Sequence, residues 1–200
     1  MKNKILFLTV FLILGSDIYG SEKKKDVFAG GGLSIGQSRK IDSPWDYFAY
    51  TDLRRLPAKD INAQVFPFKN EKWGLNYSYQ WNNPLTADIP AGPVSSIKRK
   101  WNMHSVGVGY RFTSKGIQPT ISGGAAFYSE DYRTQIIFSG FRFTSPSFHY
   151  GTEGVWISPS VKIPLPLVHN IFVEPSVTVL VSPVNSFTAA SLKILYNFNF

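Results

Sequence analysis

In the segment WGLNYSYQW, residues 73–81, the side chains alternate strictly between two kinds. The odd-numbered positions hold tryptophan, leucine, tyrosine, tyrosine and tryptophan, whereas the even-numbered positions hold glycine, asparagine, serine and glutamine. A period of two is the period of a β-strand, whose successive side chains point to opposite faces of a sheet. The stretch therefore predicts a strand with one bulky apolar face and one small polar face.

The same alternation occurs in seven further segments of this 200-residue chain. They cover residues 27–36, 61–66, 105–112, 117–128, 154–163, 171–179 and 191–200. Most of them are close to the roughly nine to eleven residues that a tilted strand needs to cross a membrane. The chain is thus predicted to be all-β, with eight strands.

The distribution of bulk between the two faces indicates which face points outward. A barrel of eight strands has an interior only wide enough for side chains. A soluble barrel would place its large apolar groups there, but here the opposite face is the small and polar one. We therefore expect an eight-stranded antiparallel up-and-down transmembrane β-barrel, with its bulky face in lipid and a narrow polar lumen.

The connections between the segments alternate between long and short. The long ones are 37–60, 82–100, 129–150 and the shorter 182–189, and the short ones are 67–72, 113–116 and 164–170. Outer-membrane barrels have long outer loops and short periplasmic turns. The alternation predicts this arrangement, with both termini in the periplasm.

The first twenty residues have the composition of a cleavable leader. Lys2 and Lys4 precede a ten-residue apolar run, residues 5–14, and small residues follow it. This order is typical of a secretory signal peptide, and the run is too short for a spanning helix. We expect residues 1–20 to be the signal peptide and residues 21–200 to form one barrel domain in the outer membrane.

The last ten residues, SLKILYNFNF, are predicted to be the eighth strand, which pairs with the first and leaves no open edge in hydrocarbon. Tyr196, Phe198 and Phe200 should face lipid near the inner interface. This terminal pattern resembles the assembly signal of bacterial outer-membrane proteins. The eight-segment layout resembles the small OmpA/OmpX-type barrels, and residues 65–81 are similar to the second hairpin of many of them. The resemblance implies recognition by the barrel-assembly machinery and a monomeric barrel.

Four charged residues fall on the face assigned to the lumen: Lys162, Glu174, Arg111 and Lys193. A hairpin folded about Val168 would place Lys162 opposite Glu174. Buried charges need partners, so we interpret the four as an ion-pair network that fills the lumen. A gated pore is the alternative interpretation, although eight strands leave little room for water.

The outer loops contain the remaining candidates for binding. These are the aromatic and basic residues Trp45, Arg54, Arg55, Lys98, Arg99 and Lys100. Such residues at a membrane rim bind headgroups and the phosphates of lipopolysaccharide. An extracellular ligand is the alternative, since long loops on a rigid scaffold are where binding usually occurs.

The composition limits the partners and the chemistry. The net charge of +8 favours anionic partners such as lipid phosphates or acidic polysaccharide, whereas no helix suited to nucleic acid is predicted. The absence of cysteine excludes disulfides and Cys-based metal sites. The three histidines lack metal-binding spacing, so neither a metal nor a cofactor is expected.

Catalysis would need a base beside a nucleophile. His104 and Ser105 are adjacent, so they would point to opposite faces of a strand. His149 and Glu153 share a face, but Gly151 stands where the similar lipid A deacylase barrels carry a serine. We therefore expect a non-catalytic protein with a structural or surface-interaction role, adhesin-like or porin-like. A lipid-modifying outer-membrane enzyme is the alternative.

Overall fold

The computed structural model describes residues 26–40, 56–67, 72–82, 85–88, 94–138, 141–144, 148–166, 168, 170–182 and 185–199. The expected signal peptide lies outside these ranges, as do Trp45, Arg54, Arg55 and Phe200. None of the described residues forms a helix with the length and hydropathy required to cross a membrane.

The described residues form ten β-strands, eight long and two short. In chain order they are β1 Asp26–Lys40, β2 Leu56–Phe66, β3 Trp73–Trp81, β4 Leu85–Asp88, β5 Val94–Arg111, β6 Gln118–Phe138, β7 Phe141–Thr144, β8 Phe148–Pro164, β9 Ile171–Val181 and β10 Asn185–Asn199. Each of the eight predicted segments falls on one of the long strands, except for the end residues Phe112 and Ile117, which flank β5 and β6, and Phe200, which is outside the described residues. The prediction of an all-β chain with eight main strands is confirmed.

The eight long strands close into an antiparallel up-and-down barrel. Each pairs with the next in the chain, and β10 pairs with β1 from Asp26–Asn199 to Lys40–Asn185, which completes the ring. The short strands β4 and β7 pair only with the upper parts of β5 and β6. Closure leaves the barrel wall without an open edge, as expected for strands in an apolar medium.

The two ends of the barrel differ in their connections. At the short-turn end, turns join β2 to β3, β5 to β6 and β8 to β9. Thr113 Oγ1 donates to Ile117 O at 2.7 Å in the second of these turns. The third contains Asn170 with a φ of 66°, a left-handed conformation that asparagine tolerates. The opposite end, where residues 41–55 connect β1 to β2, is called the long-loop end below.

The prediction of long loops at that end is wrong for two of them, which are largely strand. Strands β5 and β6 remain paired from Arg111–Thr120 up to Val94–Ile136, so most of 82–100 and 129–150 is sheet. Strand β6 has 21 residues, about twice the number needed to cross a membrane. The paired upper parts of β4, β5, β6 and β7 are called the sheet extension here.

The bulky face of the strands points outward, as the alternation predicts. Leu75, Val108 and Ile194 are about half exposed, whereas Ser78 and Asn197 are buried. Tyr77 also points outward but is only 9% exposed; it lies beside Ala63 and Val106 in the register. The outward apolar residues form a belt, which comprises Ile35, Ile61, Trp73, Leu75, Val106, Val108, Phe112, Ile117, Ile121, Phe127, Val155, Ile157, Ile163, Val177, Leu192, Ile194, Tyr196 and Phe198.

The interior is not small and polar along its whole length, because buried apolar layers lie on either side of its polar middle, so the expectation of a narrow polar lumen is wrong at these two levels. Near the short-turn end, Phe28, Phe66 and Leu195 form a buried apolar layer. Towards the long-loop end a second buried layer contains Trp101, Met103, Ala126, Tyr128, Trp156, Leu180, Phe187 and Ala189. These residues interrupt the polar face because the closed barrel needs bulk at both ends to exclude empty space.

Candidate functional site

The centre of the lumen is organised around the carboxylate of Glu174. Strand β9 places this residue directly opposite Lys193 on β10, and the two side chains approach to 3.4 Å between Nζ and Oε1. Lys162 on β8 lies 3.6 Å away through Nζ and Oε2. All three side chains are almost fully buried. Glu174 therefore contributes to the charge compensation of both lysines.

The register explains why Lys162 meets Glu174. Strands β8 and β9 pair Ser160 with Ser176 and Ile163 with Val173, so the lysine and the glutamate occupy the same level. This is the arrangement expected from a hairpin folded about Val168. Lys162 Nζ also donates to Thr120 Oγ1 at 3.0 Å on the other neighbouring strand.

A second carboxylate, Asp60 on β2, extends the cluster. Its Oδ2 lies 3.6 Å from Lys193 Nζ and accepts a hydrogen bond of 3.0 Å from Gln80 Nε2. Ser78 Oγ donates to Oδ1 at 3.0 Å. Charge and hydrogen bonds together satisfy this buried group.

Neutral amides complete the middle layer. Gln64 Nε2 donates to Glu174 Oε2 at 3.0 Å and to Asn62 Oδ1 at 2.9 Å. Asn62 in turn donates to Asn76 Oδ1 at 3.0 Å. The network thus runs across β9, β2 and β3 and fixes the side chains of the narrow interior.

Arg111 forms a separate ion pair below this cluster. Its Nη1 atom lies 2.8 Å from Asp26 Oδ2, and both side chains are buried. The guanidinium also lies 4.1 Å from the ring centre of Phe66. Of the four predicted lumen charges, the structure therefore joins Lys162 and Lys193 to Glu174 and gives Arg111 a different carboxylate.

The lumen is closed around these charges. Between the two apolar layers there is a cavity of about 10 Å³, lined by Asn62, Ser78, Ser105, Ser158, Glu174 and Lys193 among others. That volume holds about one water molecule. In the upper layer the Trp101 and Phe187 rings are 4.8 Å apart, and in the lower layer Phe28 and Phe66 are 6.1 Å apart.

Of the predicted surface cations, the three that the structure describes lie on a strand rather than in a loop. Lys98, Arg99 and Lys100 belong to β5 and pair with Arg133, Tyr132 and Asp131 of β6. Lys100 and Arg133 are exposed on the outer face of the sheet extension. At the opposite end, Tyr196 and Phe198 are exposed on the outer face, with ring centres 4.7 Å apart.

A polar cluster lies on the outer face just above the apolar belt. His149 Nδ1 on β8 is 2.8 Å from Asp131 Oδ1 on β6, and both are well exposed. Glu153 shares this face with His149, as the sequence predicts, but it lies four residues along the same strand, about 13 Å away. The structure therefore gives His149 the partner Asp131 instead. Among the described residues, no set of three or more His, Asp or Glu side chains is placed to hold a metal ion.

Asp26, Asp60 and the aromatic layers were missed at the level of sequence. Asp26 immediately precedes the first alternating segment, and Asp60 immediately precedes the second. Both occupy even-numbered positions, which face inward on β1 and β2, so the alternation in the sequence could have identified them. Trp101 and Phe187 were missed because their stretches do not alternate cleanly enough to be read as strands.

No protein-family model and no curated protein matches this chain. Among solved structures, it is similar to Ail, the attachment invasion locus protein of Yersinia pestis, with a TM-score of 0.56 and 12% identity over 89% of this chain and 100% of that one. The structure of Ail in complex with the heparin analogue sucrose octasulfate is similar with a TM-score of 0.58 and 12% identity, again over 89% of this chain and 100% of that one. The N-terminal β-barrel domain of Pseudomonas aeruginosa OprF is similar with a TM-score of 0.51 and 15% identity, over 88% of this chain and 98% of that one. At such identities the similarity shows the fold, which is that of small eight-stranded outer-membrane barrels.

Proposed function

We propose that this chain is a bacterial outer-membrane β-barrel with a structural or surface-interaction role, which is carried by the long-loop end and requires no catalysis. Its fold is shared with proteins of the outer membrane. The exposed apolar belt supports a lipid environment, because a soluble protein rarely leaves so large a contiguous apolar surface in water. The short-turn end would then face the periplasm.

The observation that carries the surface role is the sheet extension. Strand β6 exceeds the length needed to cross a membrane by about ten residues, or roughly 33 Å of strand. The surplus is paired sheet rather than loop, so it forms a rigid platform above the belt. Phe141 and Phe143 of β7 are exposed there. Exposed aromatic side chains on a rigid element are typical anchors of an interface.

An acidic polysaccharide is the first ligand class to test. The chain carries a net charge of +8, and Lys100 and Arg133 are exposed on the sheet extension. Ail, which has a similar fold, is known in complex with a heparin analogue. Sulfate and carboxylate groups pair with such cations through charge-assisted hydrogen bonds.

Heparin chromatography of the folded protein in detergent tests this ligand class. We expect the variant with Lys100→Glu and Arg133→Glu to elute at a much lower salt concentration than the wild type. The matched control is Lys72→Glu with Lys115→Glu, which makes the same change in net charge at the short-turn end. Equal losses in the two variants would indicate a non-specific charge effect and would remove the sheet extension as the binding surface.

The remaining partners follow from the location in the membrane. Cations at the rim would also pair with the phosphates of lipopolysaccharide. Export through the leader 1–20, insertion by the barrel-assembly machinery through the C-terminal aromatic residues, and a monomeric state belong to the same proposal. Deletion of residues 196–200 should leave the protein out of the outer-membrane fraction.

A lipid-modifying enzyme is the second candidate function, and one observation favours it. The Asp131–His149 pair has the geometry that orients a histidine as a base, at 2.8 Å. It lies on the outer face at the upper edge of the belt, where lipid would be in contact. A change in the mass of lipid A on overproduction would support this function, and an unchanged lipid profile would exclude it.

A further inference from the structure

The outer face of β5, β6 and β8 presents a regular grid of side chains at the edge of the belt. In one level Asn102, Ser129 and Gly151 are paired across the three strands. The level above pairs Lys100, Asp131 and His149 in the same order. We propose that Ser129, His149 and Asp131 form an ester-hydrolysing site, whose substrates are acyl esters of outer-leaflet lipids. The proposal rests on the second candidate function above.

Gly151 leaves a gap in this grid of side chains, and a substrate could enter the site there. It faces outward without a side chain beside Ser129, and a Cβ built there would meet nothing closer than 3.9 Å. The nearest side-chain atom to that Cβ position is His149 Nε2, at 4.0 Å. The free nitrogen of the imidazole therefore borders the same notch that Ser129 borders.

The hydrogen bonds assign roles to the three groups. Asp131 Oδ1 holds His149 Nδ1 at 2.8 Å, so the carboxylate positions the ring and leaves Nε2 as the base. Asn102 Nδ2 donates to Ser129 Oγ at 3.2 Å, which leaves the serine hydroxyl hydrogen available to a base. Contacts between a nucleophile and its base are often long before substrate binds.

The reaction would be an ordinary acyl transfer to water. Ser129 Oγ attacks the ester carbonyl and gives its proton to His149 Nε2, and the carbonyl oxygen becomes an oxyanion beside the Asn102 amide. Collapse breaks the ester bond, and His149 protonates the departing alcohol. Water then attacks the acyl-serine with the same base, so that a fatty acid leaves and the serine is restored.

The position of the grid selects lipid as the substrate. Directly below it lies the level of His104, Phe127 and Glu153. Below that level, Val106 and Val155 belong to the exposed apolar belt. The ester bonds of a membrane lipid lie between its apolar chains and its polar headgroup, which is the boundary that this face presents.

A fluorophosphonate probe on the folded full-length protein in outer-membrane vesicles tests the site. Such probes form a bond from phosphorus to an activated serine oxygen as fluoride leaves. We expect label on Ser129, none in Ser129→Ala, and a rate lowered roughly 100-fold or more in His149→Gln. Ser186→Ala, which removes an outward serine on β10, is the matched control and should label as the wild type does. Heat-modifiable gel mobility verifies that each variant is folded.

The role of Asp131 has its own readout. On a soluble short-chain ester, Asp131→Asn should lower kcat with little change in KM, and Asp131→Glu should restore part of the rate. A purely structural role would lower the folded fraction and leave both constants of the folded protein unchanged.

Two results would overturn the proposal. The first is a labelling result: folded wild-type protein takes up no label on Ser129, or it takes up label at a rate that His149→Gln does not change. The other is a change in lipid mass that persists in Ser129→Ala, which would remove this site and leave the second candidate function standing. An unchanged lipid profile on overproduction of every variant would remove both of them and leave the surface role untouched.

Discussion

Lys193 on β10 reaches across β1 to Asp60 on β2, with 3.6 Å between Nζ and Oδ2. Gly32 is the residue of β1 that pairs with both of them. A side chain at this position would stand between the ammonium and the carboxylate. The ion pair thus ties together the strands on either side of β1, at the seam where the last strand meets the first.

Replacement of Gly32 tests this relationship. A Cβ at this position would collide with the backbone of Leu192 and Lys193, so Gly32→Ala should cost about 1–3 kcal/mol of unfolding free energy. Urea unfolding in lipid vesicles measures the change. The control is Gly151→Ala, where the new methyl group has room. Equal stability of the two variants would show that β1 does not approach β10 this closely.

Neutralisation of Glu174 should destabilise the barrel. Glu174→Gln leaves Lys162 and Lys193 without their shared carboxylate, and loss of one partner of a buried ion pair costs about 3–5 kcal/mol. The matched control is Glu153→Gln, the same chemical change at an exposed position. For both variants, the loss of stability is measured as the temperature at which half of the protein shifts from the folded to the unfolded band in heat-modified gel electrophoresis. Addition of Lys162→Met to Glu174→Gln should recover part of the loss, since it removes an uncompensated charge.

The closed lumen predicts an electrically silent barrel. The interior cavity has room for about one water molecule, and an apolar layer closes each end of it. Reconstituted protein should therefore give no stepwise current in a planar bilayer that readily records a 16-stranded porin. Steps whose size changes in Lys193→Gln would establish a path through the ion-pair cluster and contradict the closed lumen.

The barrel could be predicted because eight segments with alternating side chains give the number of strands, and strands with an apolar outer face must close into a ring. Residues 73–81 are predicted as a strand and form β3 with the same bounds. The inward direction of Lys162, Glu174 and Lys193 follows from the same parity. Each prediction needed only the period of a strand and the narrow interior of eight strands.

The parts that could not be predicted depend on contacts between distant strands. The pairing of Arg111 with Asp26, rather than with Glu174, is set by the stagger between strands that are 85 residues apart in sequence. The sheet extension was missed because residues 94–100, VSSIKRK, do not alternate between bulky apolar and small polar side chains. The Asp131–His149 contact depends on the register of β6 against β8, which no local pattern encodes.

Site-directed spin labelling in a lipid bilayer determines whether the bulky side chains of the barrel point into lipid. Because the chain has no cysteine, a nitroxide can be attached to one cysteine introduced at the chosen position. At Ile157 and Ile194 we predict frequent collisions with oxygen and few with a water-soluble nickel chelate, and the reverse at Lys115 in a short turn. High nickel accessibility at both belt positions would place that face in water and exclude a transmembrane barrel.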